Sequence, residues 1–266
     1  MKNILFTLAL LISFSSFGQD DIKQGRYTTS DENGVIVFSS NYVDGILQGE
    51  RIWYYESGEI ESKVNFSDGT IDGKFIRYYE SGEVKEKGNY VDGQLQGEYI
   101  LYYESGEISF KINNIDGVKQ GEEIGYYESG EVRYKVNYVD GKEEGEEIKF
   151  YKNGEISFKI NYVDGVKQGE EIGYYESGEV KEKVNYEDGV KQGEVITYYK
   201  NGQIGIKVSF VNGKEQGLFM GYYPSGVVSF KANYAEGIQQ GEYITYYESG
   251  EIKETKNYKD GELIED

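Results

Sequence analysis

The sequence predicts an all-β fold: an elongated single-layer antiparallel sheet of tandem 24-residue β-hairpin repeats. Three observations predict it. The pair Tyr54-Tyr55 recurs as Tyr78-Tyr79, Tyr102-Tyr103, Tyr126-Tyr127, Phe150-Tyr151, Tyr174-Tyr175, Tyr198-Tyr199, Tyr222-Tyr223 and Tyr246-Tyr247, each time 24 residues on. Three sets of glycines keep the same step, from Gly25 to Gly241, Gly34 to Gly250 and Gly45 to Gly261. Within a unit the apolar positions Ile124, Tyr126, Val132, Tyr134, Val136 and Tyr138 differ by even steps, which is the period of a strand and not of a helix. A fixed period without insertions implies that each unit stacks on the next in one geometry.

Residues 1 to 18 stand apart from this pattern. Lys2 supplies a positive start, Ile4 to Phe14 an apolar run of eleven, and Ser16-Phe17-Gly18 a small-residue site ahead of Gln19. That is the layout of a secretory signal peptide cleaved after Gly18, with an array of ten units over 19–266. Eleven apolar residues fall short of the ~20 that a membrane-spanning helix needs. The expected location is therefore secreted or periplasmic, in a bacterial cell.

Each unit reads as strand, tight turn, strand, longer turn, as in Gly121 to Glu144. Isoleucine, valine and aromatic residues fill the strands, while Ser-Gly and Asp-Gly fill the turns. The single proline, Pro224, precedes Ser225-Gly226. In a three-residue loop that place is the second position of a type I turn, which favours proline, and Gly226 takes the left-handed bulge position. The three-residue loop puts Ile124 and Tyr126 on one face with Val132, Tyr134, Val136 and Tyr138. The opposite face then carries Glu123, Tyr127, Glu131, Arg133, Lys135 and Asn137, with Lys135 across from Glu123, Lys159 from Glu147 and Lys183 from Glu171. A lone hairpin is marginal in water, so the units must pair edge to edge; twenty strands span about 95 Å before twist. The weakened first unit, with Ser30 and Asp31 in place of tyrosines, and the acidic Glu262, Glu265 and Asp266 are expected to cap the sheet edges.

Composition narrows the function. Of 266 residues, 36 are glycine and 28 tyrosine, with no cysteine and no histidine. The 15% aromatic content argues against disorder, because disordered chains lack the side chains whose burial offsets ordering. Disulfides and thiolate metal sites are excluded. The formal charge is −20, and −21 once Lys2 leaves with the leader. A surface of that sign repels phosphate polyanions, which excludes nucleic acid and disfavours anionic membranes.

The core G-x-x-x-x-Y-Y-x-[SN]-G, as in Gly169 to Gly178, and the turn N-Y-x-D-G, as in Asn185 to Gly189, resemble the MORN repeat, and more closely its bacterial variant, over residues 21 to 266. The chain differs from the commoner pattern by a 24-residue period and by tyrosine or phenylalanine where tryptophan often stands. The resemblance implies an extended single-layer sheet with scaffold or membrane-proximal roles. Some bacterial variants are described as antitoxin-like, which makes an immunity-type protein that neutralises a toxin the alternative. Hairpin repeats that bind choline or glucan also use Tyr-Tyr and glycine, but they box the ligand with tryptophan, and Trp53 stands alone here.

Enzymatic chemistry is not expected. No histidine or cysteine can act as base or nucleophile, and Ser81, Ser105 and Ser129 sit in turns with no activating partner. Carboxylate pairs recur in every unit, and repeated shallow sites do not single out an active site. No cofactor is expected. The Asp-Gly steps are read as turn formers rather than calcium loops.

The expectation is an interaction scaffold for a protein or envelope polymer. Its candidate binding residues are drawn from the second-tyrosine column, Tyr55 through Tyr247: Tyr103, Tyr127, Tyr151, Tyr175 and Tyr199. Flat apolar rings with a polar tip suit such contacts.

Overall fold

A computed structural model describes residues 23–264 as one 25-stranded antiparallel sheet in which neighbouring strands follow one another along the chain, except that each of the two-residue strands Ile46–Leu47, Gln94–Leu95, Lys142–Glu143 and Val190–Lys191 shares its partner with the strand after it. The leader and the acidic pair Glu265 and Asp266 lie outside the described residues. Among the described residues there is no helix.

One unit shows how the sequence builds the whole. The strands Val166–Tyr174 and Val180–Glu187 are joined by Tyr175-Glu176-Ser177-Gly178-Glu179. The Gly178 N–H donates to the Tyr175 carbonyl at 2.9 Å, and the Tyr175 N–H to the Glu179 carbonyl at 2.8 Å. Gly178 has φ +94°, the left-handed conformation that closes a type I turn with a glycine bulge. The three-residue loop is thus as expected. At Pro224 the same two bonds use the N–H groups of Tyr223 and Gly226, so proline's missing donor costs nothing there.

The other turn corrects the sequence reading, because it is shorter than expected rather than longer. Val163 pairs with Val166 across Asp164-Gly165, and both turn residues have positive φ, 53° and 80°. This is the two-residue type I′ turn whose twist matches the flanking strands. Aspartate tolerates the left-handed first position because its short side chain bonds locally. Glu236 is forced into the same place, at φ 53°.

The cross-strand register is a second correction. Next to the tight turn each hairpin has a bulge: Tyr126 pairs with Val132, yet Gly125 pairs with Tyr134, leaving Arg133 as the extra residue. Beyond it the second strand has moved by one residue, and a one-residue shift exchanges the faces. Lys135 therefore lies across from Ile124, Lys159 from Ile148 and Lys183 from Ile172, not from Glu123, Glu147 and Glu171. The lysines reach other partners diagonally: Lys183 Nζ lies 3.3 Å from Glu170 and Lys159 Nζ 3.8 Å from Glu146. Tyr134, Val136 and Tyr138 leave the Ile124 face and join Glu123.

This exchange creates the core. On one face, hereafter the valine face, Val64, Ile112, Val136, Ile160, Val184, Val208 and Ala232 form a buried line across the sheet, with Ile160 at 0% exposure. Among the described residues no second layer covers them. Instead, aromatic side chains of neighbouring strands on the same face close over the line. Phe75 meets Tyr90 at 6.0 Å between ring centroids, Phe219 meets Phe230 at 5.4 Å, and Tyr243 meets Tyr258 at 6.4 Å. Burying one such aliphatic side chain contributes about 1.5–3 kcal/mol, and part of the cover comes from direct cross-strand partners, as Phe75 for Val64 and Phe219 for Ala232. The opposite face carries the lysines with the isoleucine column of Ile124, Ile148 and Ile172.

Candidate functional site

Tyr103, Tyr127, Tyr151, Tyr175 and Tyr199 all lie at the start of a three-residue turn, on the margin of the valine face that those turns form. The structure brings them into one column across successive units. It does not leave them as freely exposed side chains. Each ring is half-buried, and each hydroxyl donates to the carbonyl of the residue heading the next unit's turn. Tyr103 Oη reaches the Tyr126 carbonyl at 2.8 Å, Tyr127 Oη that of Phe150, Tyr151 Oη that of Tyr174, Tyr175 Oη that of Tyr198 and Tyr199 Oη that of Tyr222, the last four at 2.7 Å. Tyr55, Tyr79 and Tyr223 do the same.

The column therefore has a structural task the sequence reading did not assign it. A net hydrogen bond of this kind contributes about 0.5–1.5 kcal/mol, and it also fixes the direction in which the side chain lies. Expected among polar neighbours, the tyrosines share their face with the buried valines instead. The reason is the bulge, which leaves the tyrosine where alternation put it and exchanges the residues of the second strand.

A companion series that sequence reasoning missed runs along the opposite margin. Gln48 Oε1 accepts the Asp68 N–H at 2.8 Å, and Gln96, Gln120, Gln168, Gln192, Gln216 and Gln240 repeat the bond to the turn of the following unit. Glu144 substitutes with a carboxylate oxygen toward Asp164. The turn glycines add backbone bonds between units, as from the Gly189 N–H to the Lys167 carbonyl at 2.9 Å. The 24-residue recurrence of glutamine was the available signal.

Between the margins the valine face changes character along the sheet. The column holding Phe75, Tyr99, Phe219 and Tyr243 carries Glu123, Glu147 and Glu171 at its centre. Glu123 is 6% exposed; it is bonded by Lys119 and accepts the Tyr134 hydroxyl at 2.7 Å. Burial, then that hydrogen bond, pushes the Tyr134 hydroxyl well above its ordinary value. Burial, then Glu147, raises the Glu143 carboxyl. Glu123 is thus buried with partners, as buried charge requires. Among the described residues no group of three or more acidic, histidine or cysteine side chains is arranged to hold a metal ion.

Fold and margins together define a tandem hairpin repeat protein whose units are cross-linked at both edges. The chain belongs to the MORN repeat variant family: that family's model matches residues 47–68, 71–92, 95–113, 119–140, 143–164, 167–188, 191–212 and 239–260. No curated protein sequence matches the chain significantly. Among solved structures it is similar to "Crystal Structure of TcdB2-TccC3-Cdc42", at 11% identity and a TM-score of 0.21, over 87% of this chain and 15% of that one. A second is "Structure of Photorhabdus luminescens Tc holotoxin pore, Mutation TccC3-D651A", at 10% identity and 0.19, over 83% and 15%. The chain spans 15% of the length of these structures' chains, and at such scores neither bears on its function.

Proposed function

We propose that this repeat protein is a non-enzymatic extracytoplasmic interaction scaffold for a protein or surface polymer. The observation that carries the reading is the column of Tyr103, Tyr127, Tyr151, Tyr175 and Tyr199, whose rings recur at one place in five successive units with their hydroxyls anchored to backbone. Rings held in this way present apolar area without the entropy cost of ordering it on contact. A repetitive partner would meet the same surface at each unit, so weak contacts would add by avidity. The leader pattern of residues 1–18 supports export, and the lack of histidine and cysteine supports a binding rather than a catalytic role.

The test compares two substitutions at the same residues. The mature chain is immobilised, exposed to the envelope fraction of its native cell, and its retained partners are identified by mass spectrometry. Tyr127→Phe, Tyr151→Phe and Tyr175→Phe remove the hydroxyl bonds and keep the rings, whereas serine at the same places removes both. The scaffold reading expects retention with phenylalanine and loss with serine at a temperature where both variants remain folded. It is wrong if the parent retains nothing above a blank column, and the tyrosine assignment is wrong if folded serine variants retain the partner undiminished.

A further inference from the structure

The geometry points to a single sugar-binding notch between Tyr175 and Tyr199, a site that takes one neutral pyranose ring of a surface glycan; this rests on the scaffold reading and names its partner class. A cavity of about 280 Å³ opens there. Glu182, Thr197 and Ile206 pair in a row across three strands to form its floor. The space exists because Gly205 stands in the bulge column, where other units carry Glu61, Lys85, Ser109, Arg133, Ser157, Lys181, Ser229 and Lys253.

The backbone does not ask for glycine here, since Gly205 is absent from the left-handed conformations that the turn glycines share. What glycine supplies is room: a Cβ would stand 3.2 Å from Thr197 Oγ1 and 3.5 Å from the Tyr199 ring. One unit pair earlier, between Tyr127 and Tyr151, the corresponding place holds Ser157, Phe158 and Lys149, whose Nζ lies 4.6 Å from the Phe158 centroid.

The lining selects the ligand. The hydroxyls of Tyr175 and Tyr199 are committed to the Tyr198 and Tyr222 carbonyls, so the rings offer apolar surface. The side chains of Glu182 in that floor and of neighbouring Lys181 make no hydrogen bond or ion pair with another described residue. A free ammonium donor beside a free carboxylate acceptor suits adjacent hydroxyls, each of which both accepts and donates. A ring with an apolar C–H face and hydroxyls at its edge satisfies both requirements, whereas an aromatic side chain of a protein partner would leave at least one charge unanswered. The volume lies at the lower edge of the ~300–1,000 Å³ of small-molecule sites, which admits one ring. The formal charge of −20 disfavours an anionic glycan.

The experiment measures saturation-transfer NMR and titration of the mature chain with neutral oligosaccharides of glucose, mannose, galactose and N-acetylglucosamine. The expected result is transfer to at least one of these sugars and a loss of affinity of about tenfold or more in Gly205→Lys, which restores a side chain native to the column. Gly205→Ser tests a smaller filling, and Glu182→Gln removes the charged acceptor without occupying space, so the site can be judged even if the lysine variant folds poorly. Undiminished sugar binding in folded Gly205→Lys and Glu182→Gln overturns the notch. So does an absence of sugar binding by the parent; if that parent still retains an envelope protein, the scaffold reading survives, and if it retains nothing, both fall.

Discussion

At the residue scale, Glu236 is the position where this chain departs from its own rule. Nine of the ten two-residue turns place aspartate or asparagine at a φ near 50°, and the tenth places glutamate there. A longer side chain gains no local hydrogen bond to offset the left-handed backbone, which costs an L-residue about 1–2 kcal/mol. Its Oε2 does meet Lys214 Nζ, at 3.2 Å, but that pair is exposed and contributes little. Glu236→Asn is expected to stabilise the fold by about 0.5–1 kcal/mol. Thermal and denaturant unfolding check this, and an unchanged or lowered midpoint would show that the glutamate is accommodated without strain.

The hairpin is the next scale, and its two turns solve different problems. The type I′ turn matches strand twist and lets the unit hook onto its predecessor through glutamine and glycine. The three-residue turn begins with the anchoring tyrosine and is followed at once by the bulge that exchanges faces. Because the hydrogen bonds of this turn use the N–H groups of Tyr127 and Gly130 but not that of Glu128, Glu128→Pro is expected to leave the midpoint within about 0.5 kcal/mol of the parent or above it, by the same logic that admits Pro224. Amide exchange across Val118–Tyr126 and Val132–Val139 reads the outcome. Loss of protection there would mean that the equivalence of the turns is false.

For the whole molecule, a sheet that no second layer covers among the described residues depends on the cover that its tyrosines provide, and this gives it a pH limit. Burial, reinforced by neighbouring carboxylates, raises the hydroxyls of Tyr99, Tyr134, Tyr138 and Tyr162 far above their ordinary value of 10.0. A group whose folded pKa exceeds its unfolded one stabilises the fold fully below the unfolded value and loses that contribution as pH rises beyond it. Stability should therefore hold up to about pH 9 and fall above pH 10. Tyrosinate absorbance and circular dichroism are expected to change together; ionisation of these tyrosines well before unfolding would contradict the account.

The sequence alone determined the period, the class and the turns' chemistry. A 24-residue recurrence of tyrosine and glycine admits no helix, and Pro224 was enough to select the three-residue loop, because local backbone preferences act within a few residues. It did not determine which residues face each other after that loop. The bulge at Arg133 and its equivalents, Gly205 apart, has no glycine or other mark in the sequence, and a single extra residue reverses alternation for the rest of the strand. Only the tertiary structure therefore decided that Val136 belongs with Glu123 and Tyr127, and that Lys135 faces Ile124. It also decided what the tyrosines do, since a hydroxyl reaching a carbonyl 23 residues ahead depends on the stacking of units. That distance in space is set by the pairing between hairpins, which no pattern within one hairpin contains.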